Sequence, residues 1–468
     1  MVFSSITFLY MFLPIVLAAY YLTPKNFRNI TILVSGLLFY AWGEPVYVLL
    51  MLFTTFVDFM AGVLMSKFDA DNKKRTIVMV TAVSINLALL ATFKYSSFLL
   101  TNINHLFGTA IYYPQLPLPI GISFYTFQSM SYTLDMYMRN IKVQRNFVNY
   151  AAYVTLFPQI VAGPIVRYDE VAAELEHRTI TMDKIGEGVG IFIRGLAKKV
   201  LLANNIGMLW TTVKALPQGE ISVLTAWLGI LAFTFQIYFD FSGYSDMAVG
   251  LGKMMGFNFP KNFDYPYMSK SIKEFWRRWH MTLSGWFRSY VYIPLGGNRV
   301  GKVRLLRNLL VVWFLTGLWH GASWNFILWG LYFGVLIILE NFVIGKYLEK
   351  LPSFLRVAYA FLLVVFGWVL FEFDDLAMVG GYFKAMFGGN AVGLVDSQSL
   401  YFLLSYAVIF IICIIASTSY PKQLVNRLMG KIPAVIHYAS PVVELGFMVL
   451  CTAYLVDATY NPFLYFRF

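Results

Sequence analysis

From Asn308 to Leu339 the sequence carries no Lys, Arg, Asp or Glu, and is mostly Leu, Val, Trp, Phe, Ile and Gly. A run of this kind narrows the possible folds sharply. The hydrocarbon core of a bilayer asks for about 20 consecutive apolar residues per spanning helix. Backbone that crosses it must satisfy its own hydrogen bonds, which leaves helices or closed barrels. Similar runs recur along the chain, and their length fits helices. Only 13% of the 468 residues are charged, against 59% hydrophobic, whereas soluble chains are about a quarter charged. The reading is an all-α polytopic membrane protein, with roughly ten to twelve spans by the length criterion.

The distribution of charge supplies a topology. Lys and Arg collect in cytoplasmic loops, which accounts for the net charge of +12 without a nucleic-acid partner. The opening stretch lacks a basic region ahead of its apolar run, so an uncleaved first helix with its N-terminus outside is expected. Lys25 and Arg28 mark the inside, and residues 43–45 an outer turn. Lys67 with Lys73 to Arg75 are inside, 101–117 outside, and Arg139, Lys142 and Arg145 inside again, giving five spans of consistent sign. FPQIVAGPIVRY (157–168) reads as a broken or re-entrant segment, and the mixed-charge stretch from His177 to Lys199 as lying on the inner surface. Between Lys253 and Arg307 lie eleven of the 36 basic residues, against Asp264 and Glu274. Tryptophans there are expected at headgroup depth. Further spans are read near 355–371, 399–417 and 440–457, with Glu372, Asp374, Asp375 and Asp396 in an external loop. The organisation is a single membrane domain over 1–468: N-terminal helices to 145, a core over 146–350, and C-terminal helices over 351–468. No internal repeat is visible, which disfavours a secondary transporter.

Five histidines are present. His105, His177 and His437 fall where surface or interface positions are expected. His320, in GLWHGASWNF, sits far inside the charge-free run, and intramembrane ionisable groups usually face a cavity and mark function. A neutral imidazole suits proton abstraction from a hydroxyl, and Gly317 and Gly321 would let a substrate chain pass close to the ring. From the residues alone, a core histidine satisfied by a backbone carbonyl stands as an equal reading. His280, in WRRWH, is either an interfacial residue or part of a cytoplasmic mouth. There Arg277 and Arg278 would meet a phosphorylated acyl donor.

YFDFSGYSDMAVGLG (238–252) brings Asp240 and Asp246 among small residues. Helix packing through Gly and Ser explains that pattern, as does an aspartate that orients a catalytic group or pairs with an arginine of the basic segment. GYSDM lacks the second glycine of a nucleophile elbow. There is no HExxH, CxxC, P-loop or dinucleotide fingerprint, and Cys413 and Cys451 are isolated in apolar stretches. Metal and nucleotide-hydrolysis chemistry have no sequence support.

GLWHGASWNFILWG, EFWRRWHMTLSGWFRSYVYIPLGGNR and YFDFSGYSDMAVGLG together resemble the membrane-bound O-acyltransferase (MBOAT) family, nearest its alginate O-acetylation (AlgI-like) branch. MVFSS, LPIGISFYTFQSMSYTLDMY (118–137), FPQIVAGPIVRY and the closing NPFLYFRF fit the same branch. The resemblance implies a ring of tilted helices with re-entrant segments around a central tunnel. It implies His320 as the catalytic residue and His280 as the second family histidine. Trp276, Arg277, Arg278, Trp279, Asp240, Asp246, Trp319 and Asn298 are the implied substrate-side residues. Where Arg-Asp-Tyr is expected after WRRWH, this chain reads Arg288, Ser289, Tyr290. The implied activity is transfer of an acetyl group from cytoplasmic acetyl-CoA, with no tightly bound cofactor, for O-acetylation of an extracytoplasmic polysaccharide. The implied partners are membrane lipid and an extracytoplasmic SGNH-type acetyltransferase or polysaccharide export machinery, at the bacterial cytoplasmic membrane. D-alanyl or other acyl transfer to a cell-wall polymer, and a non-catalytic acyl or lipid conduit, are the alternatives.

Overall fold

The computed structural model describes residues 1–113, 116–161, 163–457, 461 and 464, and among them the regular structure is helical without strands. The closing NPFLYFRF motif lies outside the described residues apart from Asn461 and Leu464. Seven described helices are long and apolar enough to cross a membrane: Val48–Lys67, Asn72–Phe107, Val223–Met254, Trp324–Leu348, Ser353–Glu372, Ser397–Ala416 and Pro433–Asp457. The protein is a multi-pass membrane protein. The three C-terminal spans stand where the apolar runs put them.

That count takes only the helices that meet the length and composition criterion by themselves. Several helices in the expected places are too short to span alone, including Phe8–Leu22, Arg28–Ala41 and Ile122–Met138. Ile122–Met138 is buried along most of its length, so protein encloses it and it need not match the bilayer. Lys302–His320 begins with Lys302, Arg304 and Arg307, which leaves too little apolar length for a full crossing.

The chain forms two compact units. The first contains Met1–Phe192 and Ser245–Pro260, the second Ile193–Tyr244 and Lys261–Leu464. In the first, Val48–Lys67, Asn72–Phe107 and Ile122–Met138 meet at the buried Asp58. Its carboxylate accepts hydrogen bonds from Thr133 Oγ1 at 2.6 Å, from Asn86 Nδ2 at 3.0 Å and from the Ser129 hydroxyl. Burying a carboxylate is tolerable only when its oxygens are satisfied in this way. The 157–168 segment is irregular as expected, with one short helix, Phe157–Ile160, enclosed by protein. The Gln159 amide reaches back to the Tyr153 carbonyl at 2.6 Å, which meets the bilayer's demand for internal hydrogen bonding.

The second unit is built on a tight hairpin of Lys302–His320 and Trp324–Leu339. Glycines permit its closeness. A Cβ on Gly317 would meet the Phe326 carbonyl, and one on Gly330 the Trp313 carbonyl. Small residues let membrane helices approach backbone to backbone. Ser353–Glu372 packs beside this hairpin, and Asn325 ties them by donating to the Leu370 and Phe371 carbonyls at 3.3 Å. Glu372 is not in an external loop. It ends that helix buried, pairing with Lys214 at 2.6 Å and accepting from the Trp210 indole at 3.2 Å.

Candidate active site

His320 is the last residue of the Lys302–His320 helix, and the chain turns through extended Gly321 before restarting at Trp324. The turn holds the imidazole within the second unit at 2% exposure. Three aromatic rings enclose it: Trp329 at 4.8 Å between centroids, Trp319 at 5.0 Å and Phe371 at 5.4 Å. All three lie roughly perpendicular to the histidine ring. The glycines around it have a different use from the one expected. The Phe326 ring occupies the space where a Gly321 side chain would project, and Gly317 is spent on the helix contact. They pack the cage; they do not open a path for substrate.

His280 reaches the same place from another element. It links two seven-residue helices, Ile272–Arg278 and Met281–Phe287, with φ +44°. A positive φ is uncommon outside glycine and marks a position that the surroundings enforce. The enforcing residue is Asn262. Its side-chain oxygen lies 3.2 Å from His280 Nδ1 and accepts from the Thr282 backbone N–H at 3.2 Å and the Thr282 hydroxyl at 2.9 Å. Its backbone carbonyl accepts from the Met281 N–H at 3.0 Å. An oxygen that already accepts from an N–H requires Nδ1 to be the protonated nitrogen, so Nε2 carries the lone pair. Burial pulls the His280 imidazole down to about 3, keeping it neutral.

Trp319 joins the two histidines. Its ring centroid is 5.8 Å from that of His280 and 5.0 Å from that of His320. Phe241 closes the far side of His280 at 4.8 Å. Two buried imidazoles from separate elements thus flank one indole.

The WRRWH tryptophans are buried against other rings of the protein. Trp276 packs against Trp313 at 4.8 Å, Phe333 at 4.9 Å and Trp329 at 5.5 Å. Trp279 packs against Trp368 at 4.9 Å and Phe263 at 5.1 Å. Both point into the second unit because the seven-residue helix carrying them turns its apolar side inward. The indole N–H groups of Trp276 and Trp329 are buried with no acceptor among the described residues. They are donors available to a polar group that enters the cage. Arg277 is exposed, whereas Arg278 is engaged by Glu274 at 2.7 Å and by the Asp264 carbonyl at 3.2 Å.

The remaining sequence-predicted residues have the following surroundings. Asp240, 1% exposed, pairs with Lys199 at 2.6 Å and accepts from the Leu464 N–H at 2.9 Å. Its cation therefore comes from the π-helical stretch Lys198–Asn204, not from the basic segment. Asp246 lies on the same helix in the other unit. Asn298 is exposed, next to the two positive-φ glycines Gly296 and Gly297. Ser289, in place of the expected aspartate, is half-buried beside exposed Arg288. His105, His177 and His437 are all exposed. Among the described residues no group of three or more His, Cys, Asp or Glu side chains could hold a metal.

Asn262, Lys199, Trp329 and Phe371 are parts of this architecture that sequence reasoning missed. Asn262 had a faint signal, a polar amide inside the aromatic FNFPKNFDYPY stretch.

Comparison with known proteins completes the description. Residues 34–379 match the model of MBOAT, the membrane-bound O-acyltransferase family. The chain is 42% identical to a protein of Pseudomonas syringae pv. tomato named "Probable alginate O-acetylase AlgI", over 83% of this chain and 75% of that one. An Azotobacter vinelandii protein of the same name is 37% identical over the full length of both. The peptidoglycan O-acetyltransferase of Helicobacter pylori is 32% identical over 84% of this chain and 81% of its own.

Proposed function

The chain belongs to the membrane-bound O-acyltransferase family and is an O-acyltransferase, and on that premise we propose that it passes an acetyl group from cytoplasmic acetyl-CoA, through a site centred on His320, toward an extracytoplasmic polysaccharide. The observation that carries this reading is the pair of buried histidines held on either side of Trp319, His320 in an aromatic cage and His280 locked by Asn262.

In the proposed step His320 takes the proton of the acceptor hydroxyl as its oxygen bonds to the acyl carbon. The carbon–sulfur bond breaks, and the leaving thiolate recovers the proton from the imidazolium. Ester and free thiol result, and His320 returns to neutral. A base positioned in this way supplies about 10²–10⁴-fold in rate. The cage excludes the water that would otherwise hydrolyse the thioester. His280, neutral and oriented by Asn262, offers Nε2 as an acceptor to the bound reactants. Exposed Arg277 is the residue proposed to meet the phosphates of the donor.

Two relatives named for alginate O-acetylation and one named for peptidoglycan O-acetylation support a polysaccharide as the final acceptor. The polymer would lie outside the cytoplasmic membrane, so an extracytoplasmic SGNH-type acetyltransferase is the proposed partner at that face, with the chain in the bacterial inner membrane.

The experiment is thiol release by the purified protein from acetyl-CoA with an oligosaccharide acceptor. Thiol and acetylated product appearing together in wild type, and neither with His320→Ala, is the expected result. Undiminished release by the variant would remove His320 from the chemistry.

A further inference from the structure

One cavity of the second unit is lined by neither His280 nor His320. It is a groove of about 1070 Å³ in the second unit, walled by Val223–Met254, Ser353–Glu372 and Ser397–Ala416. All three walls are helices able to cross a membrane. On Ser397–Ala416 the lining residues Leu403, Ala407, Phe410, Ile411 and Ile414 fall on one helical face, and Phe235 and Phe361 line the groove from the other two helices. The lining is polar at one end only. There Lys270 stands with Ser353, Ser417, Thr418 and Tyr420, and no carboxylate lines any part of the groove.

These features select an occupant. From Leu403 to Ser417 the groove runs about 21 Å at ~1.5 Å rise per residue, more than the ~15 Å of hydrocarbon in one leaflet. Its volume matches the upper range of ligand pockets, ~300–1,000 Å³. The Lys270 ammonium makes no ion pair or hydrogen bond among the described residues; the Ser353 and Tyr420 hydroxyls are donors for phosphate oxygens, whereas those of Ser417 and Thr418 already donate to the Cys413, Ile414 and Ile415 carbonyls. A single cation over a long apolar slot, inside membrane-crossing walls, fits one phosphate and the acyl chains below it.

We propose that this groove is a specific site for an anionic glycerophospholipid, with its phosphate on Lys270 and its acyl chains against Phe235, Phe361 and Phe410. The site adjoins the aromatic core through a shared wall residue. The Tyr267 ring lines the groove and lies 6.2 Å from that of Trp279, and its hydroxyl oxygen accepts from the Trp368 indole N–H at 3.3 Å. Occupancy is thereby coupled to the packing around His280.

The test uses the full chain in phosphatidylcholine nanodiscs with a phosphatidylglycerol that carries a photoreactive diazirine on one acyl chain. Cross-links are expected to concentrate on the Ser353–Glu372 and Ser397–Ala416 peptides. Unlabelled phosphatidylglycerol should compete at least fivefold better than added phosphatidylcholine. Lys270→Gln should bring that ratio within twofold of unity, and Ala407→Trp, which fills the slot, should cut labelling at least fivefold. Lys270 is half-buried, and a monodisperse Lys270→Gln sample keeps the comparison valid if the tryptophan variant fails to fold. Labelling spread evenly over all lipid-facing helices, or equal competition by the two lipids in wild type, would overturn the site. Displacement by a polyprenyl phosphate at lower concentration than phosphatidylglycerol would overturn the phospholipid as its occupant.

Discussion

Around Trp319 the side chains divide the work. His320 has aromatic neighbours on three sides, and His280 has a dedicated hydrogen-bonding residue. Substituting His320 by alanine is expected to lower kcat by about 10²–10⁴-fold with little loss of folded protein, because the cage is built from the rings and not from the imidazole. Asn262→Ala removes the acceptor that His280 Nδ1 and Thr282 share. It should cost about 1–3 kcal/mol of stability and lower kcat more than KM is raised, both measured on the same detergent-purified sample. His280 also imposes a pH dependence on stability. Its folded pKa is depressed to about 3, while the unfolded imidazole takes a proton below ~6.5. Stability is therefore full above ~6.5 and falls with pH below it, by up to about 1.4 kcal/mol per unit. Unfolding followed between pH 7.5 and 5.5 should show this slope in wild type and a flatter one in His280→Gln, and identical slopes would contradict the assignment. Both histidines were legible in the sequence, because an ionisable residue in a charge-free run or beside Trp and Arg stands out. Asn262 was not, since nothing in its neighbours shows that a left-handed residue eighteen positions away depends on its amide.

Among the elements, the hairpin of Lys302–His320 and Trp324–Leu339 sets where His320 stands, and its closeness rests on Gly317 and Gly330. Gly317→Val pushes against the Phe326 carbonyl, backbone that cannot yield cheaply. The expected cost is about 1–3 kcal/mol, with activity falling although every cage residue is retained. The sequence singled out Gly317 but not its helix contact, and did not single out Gly330, because small residues serve substrate access and helix contact equally well until the neighbouring helix is placed. Asp240 teaches the same lesson. Its partner Lys199 comes from a separate π-helical stretch, and no spacing rule connects them. Lys199→Ala strands a carboxylate at 1% exposure and should destabilise by about 3–5 kcal/mol, whereas Lys199→Met with Asp240→Leu should recover most of that loss. Thermal unfolding of the single and double variants decides it. A double variant no better than the single would show that the pair does more than neutralise charge.

For the whole molecule, apolar length and the placement of Lys and Arg were enough to read an all-α membrane protein and its C-terminal spans. A helix enclosed by protein, such as Ile122–Met138, need not match the bilayer, so length alone does not count the crossings. The central claim concerns the molecule in its membrane: acyl transfer depends on His320 and carries the acyl group across. The most direct measurement follows radiolabel from acetyl-CoA, supplied on the face bearing the basic 253–307 segment, to an acceptor on the opposite face of sealed proteoliposomes. Wild type and His320→Ala are run side by side. Label reaching the far acceptor only with wild type is the predicted result. Equal label in both would mean that the chain conducts without chemistry at His320, and the account would be wrong.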